Sequence, residues 1–321
     1  MAKKQNRYYT GLVPFSNKTR MLPARGRGWT AMFAPVRSQI RKGSPDLKHE
    51  IVILAANDRT AQKALNLILS AHRLITAEVW IDDIDVQPQG KTKALHPGYC
   101  STANFPVACH IAAKASTSLN FIYALALYRL SQELHVNVLM DLEPREYPHE
   151  HRSPYPRDHA RFAYAIVTAY AVIEQIGLAL KQGDAFKNRQ WIPVVRNELE
   201  NRLRSAGVDL GNPVLWQLRG GKTKMEARRP PKIMRKASWA FGKIRDCEVE
   251  VIDALADLRW LRSGVASHHL DELASLLSIY DASNAQLLAR RLLFDRLGFT
   301  AQRVWEIREA STGKRRSRRS K

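Results

Sequence analysis

The chain has 321 residues, of which 45% are hydrophobic and 25% are charged, and its formal net charge is +21. This length and composition are typical of one large or two ordinary globular domains and exclude a disordered chain. The excess of 51 Lys and Arg over 30 Asp and Glu predicts a nucleic-acid partner, because basic surfaces attract phosphate backbones.

No segment is predicted to enter a membrane or to direct secretion. The most apolar stretch, residues 162–180, contains Glu174 and Gln175, and a charge near the bilayer centre is costly. The charged N-terminus has no apolar segment after it, so it does not resemble a secretory signal. Three cysteines without motif spacing favour a reducing compartment. The chain is therefore expected to be cytoplasmic, with no membrane partner.

The N-terminal half is predicted to begin with a basic leader. Residues 1–47 are rich in Gly, Pro and Arg with little periodicity, which predicts a flexible arm. Residues 48–150 predict a smaller, mostly helical domain with one short strand in the β-branched run HEIVILA. Asn57 or Asp58 is expected to cap the helix that follows this run. A second helical stretch, 105–136, is expected to break near the sequence STS.

The C-terminal half is predicted to be almost wholly helical. Four prolines within residues 141–158 predict a boundary. Beyond it, residues 155–300 predict a helical domain with a basic insertion near 207–237, and 311–321 form a basic tail. Helices are expected at about 158–181, 192–204, 238–263, 269–280, 283–296 and 300–310. The predicted fold is mainly α.

An arginine and two histidines stand at the end of the helix predicted over 238–263. That helix has an apolar stripe at three- and four-residue steps, which predicts a face turned to the core. At about 100° per residue, His269 shares a face with Arg262 if the helix continues straight. His268 shares that face only if the backbone bends or unwinds from Gly264 onward. Both alternatives stay open on helical spacing alone.

Arginine and histidine together can cleave RNA. Arginine presents a planar fork of donors that matches a phosphate, and it keeps its charge. Histidine exchanges a proton near neutral pH, so it can take the proton of a 2′-hydroxyl or protonate the leaving 5′-oxygen. A fixed cation stabilises the charge that develops on phosphorus. This chemistry requires no metal.

The sequence RSGVASHH, an R-x5-H or R-x6-H motif after a long helix, resembles the HEPN superfamily. The stretch AYAVIEQIGLAL is similar to the first helix of that domain, and DALADLRWLRS is similar to the helix that carries its motif. The resemblance covers about 155–300. It implies a four- or five-helix bundle, a homodimer with the two motifs facing each other, and metal-independent RNA cleavage. It also implies a role in phage defence, abortive infection or a toxin–antitoxin pair.

The resemblance also implies a role for each site residue. Arg262 would hold the scissile phosphate, and His268 and His269 would supply acid and base. His268 is favoured, because the family places its histidine after a break in the helix. Ser263 and Glu174 would support Arg262. Ser263 is a departure, since a polar Asn, Asp or His usually follows the arginine.

Each of these residues also has a purely structural interpretation. Arg262 would stabilise the C-terminus of its helix, where a cation is favourable, and the histidines would begin the next helix. Glu174 would face solvent at a helix edge instead of orienting Arg262. The alternative functions are then a non-catalytic RNA-binding or scaffold protein, or a subunit of a toxin–antitoxin or antiphage complex. Two further Arg-to-His spacings, from Arg145 and Arg152, fall in the proline-rich loop.

Basic residues of the insertion and the tail are the predicted contacts to the RNA backbone, because Lys and Arg neutralise phosphates. They are Lys222, Lys224, Arg228, Arg229, Lys232, Arg235, Lys236, Arg315 and Arg316. Nearby tryptophans at 216, 239 and 260 are candidates for stacking on bases.

No metal or cofactor is predicted. Cys109 and His110 are adjacent, which is awkward for two ligands of one tetrahedral zinc ion. The chain contains neither a P-loop nor a dinucleotide-binding motif, so nucleotide hydrolysis and hydride chemistry have no support.

Overall fold

The structure, a computed structural model, divides the chain into two compact units. The first contains residues 1–125 and 299–321, and the second contains residues 126–298. The residues described are 5–10, 12–14, 22–35, 49–76, 87–88, 98–100, 104–141, 156–181, 185–220, 226–238, 244–266 and 277–312.

Nine α-helices and eleven strands lie within these ranges. The helices are α1 (Asp58–Thr76), α2 (Asn104–Ala115), α3 (Leu119–Asp141), α4 (Pro156–Gln175), α5 (Pro193–Ser205), α6 (Pro231–Ser238), α7 (Val251–Leu261), α8 (Ile279–Leu297) and α9 (Ala301–Thr312). The strands are β1 (Asn6–Tyr9), β2 (Leu12–Pro14), β3 (Ala24–Gly26), β4 (Trp29–Pro35), β5 (His49–Ala55), β6 (Gln87–Pro88), β7 (Gly98–Cys100), β8 (Phe186–Lys187), β9 (Gln190–Trp191), β10 (Val214–Arg219) and β11 (Ile244–Val249).

The first unit is built on a five-stranded sheet in the order β3-β4-β5-β1-β6, beside the parallel pair β2 and β7. Ala31, Ile53 and Tyr8 lie side by side across β4, β5 and β1, and all three are buried. Side chains alternate between the two faces of a strand, so this row places one face of the sheet in the core.

Two helices of the first unit pack closely on each other. The predicted cap of α1 is confirmed, since Asn57 Oδ1 accepts a hydrogen bond of 2.9 Å from the Thr60 backbone N–H. α1 packs against α2, where the buried ring of His72 stacks on Phe105 with 4.1 Å between ring centroids. α9 also contacts α2.

The second unit has a helical core in which α4 packs against α8. Gln286 Oε1 of α8 accepts a hydrogen bond of 2.9 Å from His135 Nδ1, and its amide nitrogen donates to the Ser131 carbonyl. The hairpin of β10 and β11 is tied to α8 as well. There Asn284 accepts from the Gln217 backbone N–H at 2.9 Å and donates to the Gln217 carbonyl at 2.8 Å.

The prediction of a mainly α-helical chain is confirmed, as is the break near STS, because α2 ends at Ala115 and α3 begins at Leu119. Helices also lie where they were expected near 192–204, 283–296 and 300–310. The predicted helix 269–280 lies mostly outside the described residues. None of the described helices combines the length and apolar character required to cross a bilayer.

Two predictions about elements are wrong. The arm of residues 1–47 contains strands β1 to β4, because its aromatic and β-branched residues pair with β5. The single helix predicted over 238–263 is the strand β11 followed by the shorter helix α7, since β11 pairs with β10. The segment near 207–237, expected to be a basic insertion, contains the strand β10 and the helix α6.

Candidate active site and nucleic-acid interface

Arg262 lies where α7 changes its hydrogen-bond pattern. The α-helix ends at Leu261, and Arg262–Ala266 form one π-helical turn, which packs against α4. Such turns are wider than the α-helix and occur frequently at functional sites. Gly264 lies within this turn, so the backbone departs from α-helical geometry at the position that separates the two histidine alternatives. His268 and His269 themselves lie outside the described residues.

Glu174 and Arg262 form the ion pair that the sequence suggested. Arg262 Nη2 lies 3.6 Å from Glu174 Oε1. The side chains are 36% and 45% exposed, so the pair is open to solvent. Glu174 stands near the C-terminus of α4, and the π-helical turn contacts that helix. The apolar faces of the two helices therefore bring together two charged residues that are 88 positions apart.

Tyr170 completes the surroundings of Arg262. It lies one helical turn before Glu174, and the Arg262 guanidinium carbon is 5.8 Å from the centre of its ring. The Tyr170 hydroxyl donates to the Leu180 carbonyl at 3.3 Å. Burial, followed by the nearby Glu174 charge, raises the pKa of Tyr170 to about 12. Tyr170 is therefore a neutral aromatic wall at physiological pH.

The pairing leaves the donors of Arg262 available. A separation of 3.6 Å exceeds hydrogen-bond distance, so Glu174 holds the guanidinium by charge alone. Within the part of the chain that is described, no acceptor takes a hydrogen bond from this guanidinium. An oriented guanidinium with open donors suits a phosphate, which accepts two parallel hydrogen bonds.

Beside the π-helical turn lies a cleft of about 540 Å³, which we call the arginine cleft. Its walls come from the β8–β9 hairpin, the turn before α6, α6 itself and the end of α7 with Ser263 and Gly264. Among the described lining residues none is acidic. The basic and the larger apolar lining residues are Arg189, Arg228, Arg229, Arg259, Phe186, Met234 and Trp260.

A buried ion cluster supports the floor of this cleft. Arg229 donates to Asp257 at 2.6 Å and also contacts Asp281. The indole N–H of Trp216 donates to Asp257 at 2.9 Å. Trp216 is fully buried and therefore does not stack on a base. The Arg229 guanidinium carbon also lies 6.0 Å from the centre of the Trp260 ring, which lines the cleft.

The cations predicted to contact RNA have different surroundings. Lys232 pairs with Glu250 at 3.1 Å and with Asp253 at 3.4 Å, and Lys236 donates to the Glu248 carbonyl. Arg229 is buried within the ion cluster, whereas Arg228 and Arg235 are exposed. Lys222, Lys224, Arg315 and Arg316 lie outside the described residues.

The structure adds two arginines that sequence reasoning did not single out. Arg189 and Arg259 both line the cleft, although they are 70 positions apart. Arg189 occupies the turn between β8 and β9, where Asn188 and Arg189 have positive φ angles of 50° and 60°. Two positive φ angles define a type I′ hairpin turn. The dipeptide Asn188-Arg189 was the sequence signal for this hairpin turn, but arginine is an unusual residue in such a turn.

The described residues contain no group of three or more side chains suited to a metal ion. Cys109 is buried and Cys247 is partly exposed. No protein-family model, no curated protein and no solved structure matches the chain. Function is therefore argued from the site alone.

Proposed function

We propose that this protein is a metal-independent endoribonuclease of HEPN type, acting on RNA in the cytoplasm as a homodimer. Arg262 holds the scissile phosphate. One histidine of the pair His268 and His269 takes the proton of the 2′-hydroxyl, whose oxygen attacks phosphorus. The bond to the 5′-oxygen breaks, and a second histidine protonates that oxygen. The products are a 2′,3′-cyclic phosphate end and a 5′-hydroxyl end.

The observation that carries this proposal is the setting of Arg262. It stands at the start of a π-helical turn that ends at Ala266, two residues before His268 and three before His269 in the sequence. Glu174 and Tyr170 limit the positions of its guanidinium, yet they leave its donors open. A merely structural arginine is expected to use those donors on backbone carbonyls or carboxylates, as Arg229 does.

The biological setting that fits this activity is defence or a toxin-like response, with an antitoxin or a defence-complex subunit as a further partner. A nuclease that needs no metal is active as soon as RNA reaches it, so such an enzyme requires a trigger or an inhibitor.

The second candidate function is RNA binding without turnover. The arginine cleft favours it, because the described lining offers cations and aromatic surface but no histidine or carboxylate for proton transfer. Ser263 lines this cleft and follows Arg262 directly. The two candidates predict the same binding and differ in cleavage.

The test is cleavage of mixed RNA by the full-length protein in EDTA. Arg262→Ala is expected to lower the cleavage rate by about 10²- to 10³-fold, since it removes charge stabilisation in the transition state. A double replacement of His268 and His269 by alanine is expected to lower it by about 10²- to 10⁴-fold. Arg245→Ala removes an exposed arginine of β11 and is the matched control, with near wild-type cleavage. Equal activity in all four proteins, or none in any, contradicts the nuclease.

Glu174→Gln tests positioning within the same assay. Glutamine keeps the shape of the side chain and removes the charge that holds Arg262. We expect the rate constant for cleavage to fall by about tenfold with little change in KM, because the phosphate is held in fewer productive orientations. The free energy of unfolding should change by less than about 1 kcal/mol, since the pair is exposed. A loss of stability without a loss of rate assigns Glu174 a structural role.

A further inference from the structure

We propose that the arginine cleft is a binding site for one nucleotide, with its phosphate on Arg189 and Arg228 and its base against Trp260. Free nucleotides and nucleotides within an RNA strand share this chemistry. The choice of an RNA strand as the source rests on the proposed function, whereas the site itself rests on the geometry of the cleft.

The charge of the cleft selects an anion. Arg189 and Arg228 are exposed, and in the described part of the chain neither forms an ion pair. Arg259 adds a third guanidinium from the end of α7. The described lining contains these three guanidinium groups and no carboxylate, so its net charge is positive. Guanidinium groups converging from separate segments favour a compact, multiply accepting group such as phosphate.

Part of the cleft lining is aromatic and apolar. Phe186, Met234 and Trp260 line it together with Pro230 and Pro231. An inorganic anion makes no stacking contact with such a surface, whereas a nucleobase gains stacking and dispersion contacts on an indole. The cleft volume of about 540 Å³ is within the usual range for small-molecule sites. A base joined to a phosphate is therefore the class of ligand that contacts both the arginines and the aromatic part of the lining.

The aromatic wall is held in place before any ligand binds. Arg229 lies over the Trp260 ring and is itself fixed by Asp257 and Asp281. A Cβ placed on Gly264 would lie 3.4 Å from the indole nitrogen, so the ring rests closely on the backbone of the π-helical turn. Preformed surfaces bind more tightly because less freedom is lost on association.

The hairpin presents Arg189 in a conformation that arginine rarely adopts. Its φ of 60° and that of Asn188 are typical of the tight I′ turn, in which glycine usually occupies the second position. The neighbouring strand is anchored, since the Trp191 indole N–H donates to Asp253 at 2.7 Å. Side chains kept in such strained positions cluster at ligand-binding sites.

The cleft borders the candidate active site. Ser263 and Gly264 line it and lie in the same π-helical turn as Arg262. A nucleotide bound there is thus a neighbour of the phosphate that Arg262 is proposed to hold, and it would set the register of the strand.

The test measures binding without cleavage. The full-length protein is titrated with a 2′-O-methylated RNA oligonucleotide, which lacks the attacking hydroxyl, and separately with a nucleoside 5′-monophosphate and with inorganic phosphate. The double variant R189A/R228A is compared with R204A/R245A, which removes the same charge from exposed arginines outside the cleft. We expect the cleft variant to weaken monophosphate binding at least tenfold, and the control variant less than twofold. Circular dichroism and thermal unfolding confirm that both variants are folded.

Each outcome decides one part of the proposal. Equal losses in the two double variants overturn the site. Inorganic phosphate that binds as tightly as the monophosphate overturns the role of the base, as does full nucleotide affinity in Trp260→Ala. If R189A/R228A weakens binding of the monophosphate but not of the oligonucleotide, the cleft is a nucleotide site and RNA is not its ligand. If R189A/R228A weakens binding of both ligands and the wild-type protein cleaves no RNA, this inference stands and the proposed nuclease activity is wrong.

Discussion

Two arginines of the second unit show how local surroundings decide the use of a side chain. Arg229 is buried, and two carboxylates and an indole ring surround it. Arg262 is partly exposed, and among the described residues it pairs with one carboxylate, at a distance too long for a hydrogen bond. A buried guanidinium needs full compensation of its charge, so Arg229 serves the fold. Arg262 retains both its charge and its donors for a partner.

His72 offers a prediction about pH in the first unit. Its ring is buried against Phe105, and burial, together with the adjacent charge of Arg73, lowers the pKa of His72 to about 4. The unfolded chain binds this proton near pH 6.5, so between pH 6.5 and pH 4 it binds more protons than the folded chain. The contribution of His72 to the free energy of unfolding is therefore complete above pH 6.5 and is lost as the pH falls towards 4.

The measurement compares wild type with His72→Phe, which keeps an aromatic ring but cannot bind a proton. Urea unfolding at pH 7 and at pH 4 gives the free energy of unfolding of each protein. We expect wild type to lose about 3 kcal/mol more than the variant between these two values, as the size of the pKa shift implies. The same loss in both proteins would contradict a buried neutral histidine.

At the scale of elements, Asp281 joins a helix terminus to the ion cluster. The backbone N–H and the hydroxyl of Ser278, which precedes α8, donate to Asp281 Oδ2 at 2.9 and 2.8 Å. The other carboxylate oxygen of Asp281 accepts a hydrogen bond from the Arg229 guanidinium. The first turn of α8 is thereby tied to the floor of the arginine cleft.

Removal of this carboxylate should cost more than removal of the cap. We expect Ser278→Ala to lower the free energy of unfolding by about 1 kcal/mol, the usual effect of losing a cap. Asp281→Ala should lower it by about 3 to 5 kcal/mol, because it also leaves part of the buried Arg229 charge uncompensated. Urea unfolding of the two variants at pH 7 measures the difference. If Asp281→Ala is no worse than Ser278→Ala, the pair with Arg229 contributes nothing to stability.

Elements with strong local signals were predictable from the sequence. The cap at Asn57, the break between α2 and α3 and the C-terminal helices follow from side-chain spacing and turn residues. The strands β3 and β4 were not predictable, because Arg25, Arg27 and two glycines give their hairpin the composition of a basic linker. Those glycines have a geometric role. A Cβ on Gly26 would lie 2.1 Å from the Trp29 ring, and Gly28 has a φ of 81°.

The candidate site was predictable only in part, for a similar reason. The resemblance implied that Glu174 supports Arg262, but the sequence left open whether Glu174 faces solvent at a helix edge instead. No such signal exists for the arginine cleft. Its residues come from the β8–β9 hairpin, the turn before α6 and the end of α7, and only tertiary pairing brings them together.

At the scale of the whole molecule, the net charge of +21 and the cleft are expected to contribute differently to RNA binding. A diffuse positive field attracts the strand by releasing its counterions, so affinity falls steeply as salt rises. A built site contributes contacts that depend much less on salt. The basic tail, 313–321, contains six of the Lys and Arg residues, and its deletion changes no residue that lines the cleft.

Deletion of residues 313–321 lowers the net charge from +21 to +15 and separates these two contributions. We expect the deletion to weaken binding of the uncleavable oligonucleotide at about 50 mM salt. It should also make the plot of log affinity against log salt less steep, by about 0.7 for each phosphate no longer neutralised on a single strand. Binding of the nucleoside monophosphate should remain within twofold of wild type. R189A/R228A should show the reverse pattern for the monophosphate, since it removes local contacts. If the tail deletion weakens both ligands equally, the field of the whole chain, and not the cleft, determines nucleotide affinity.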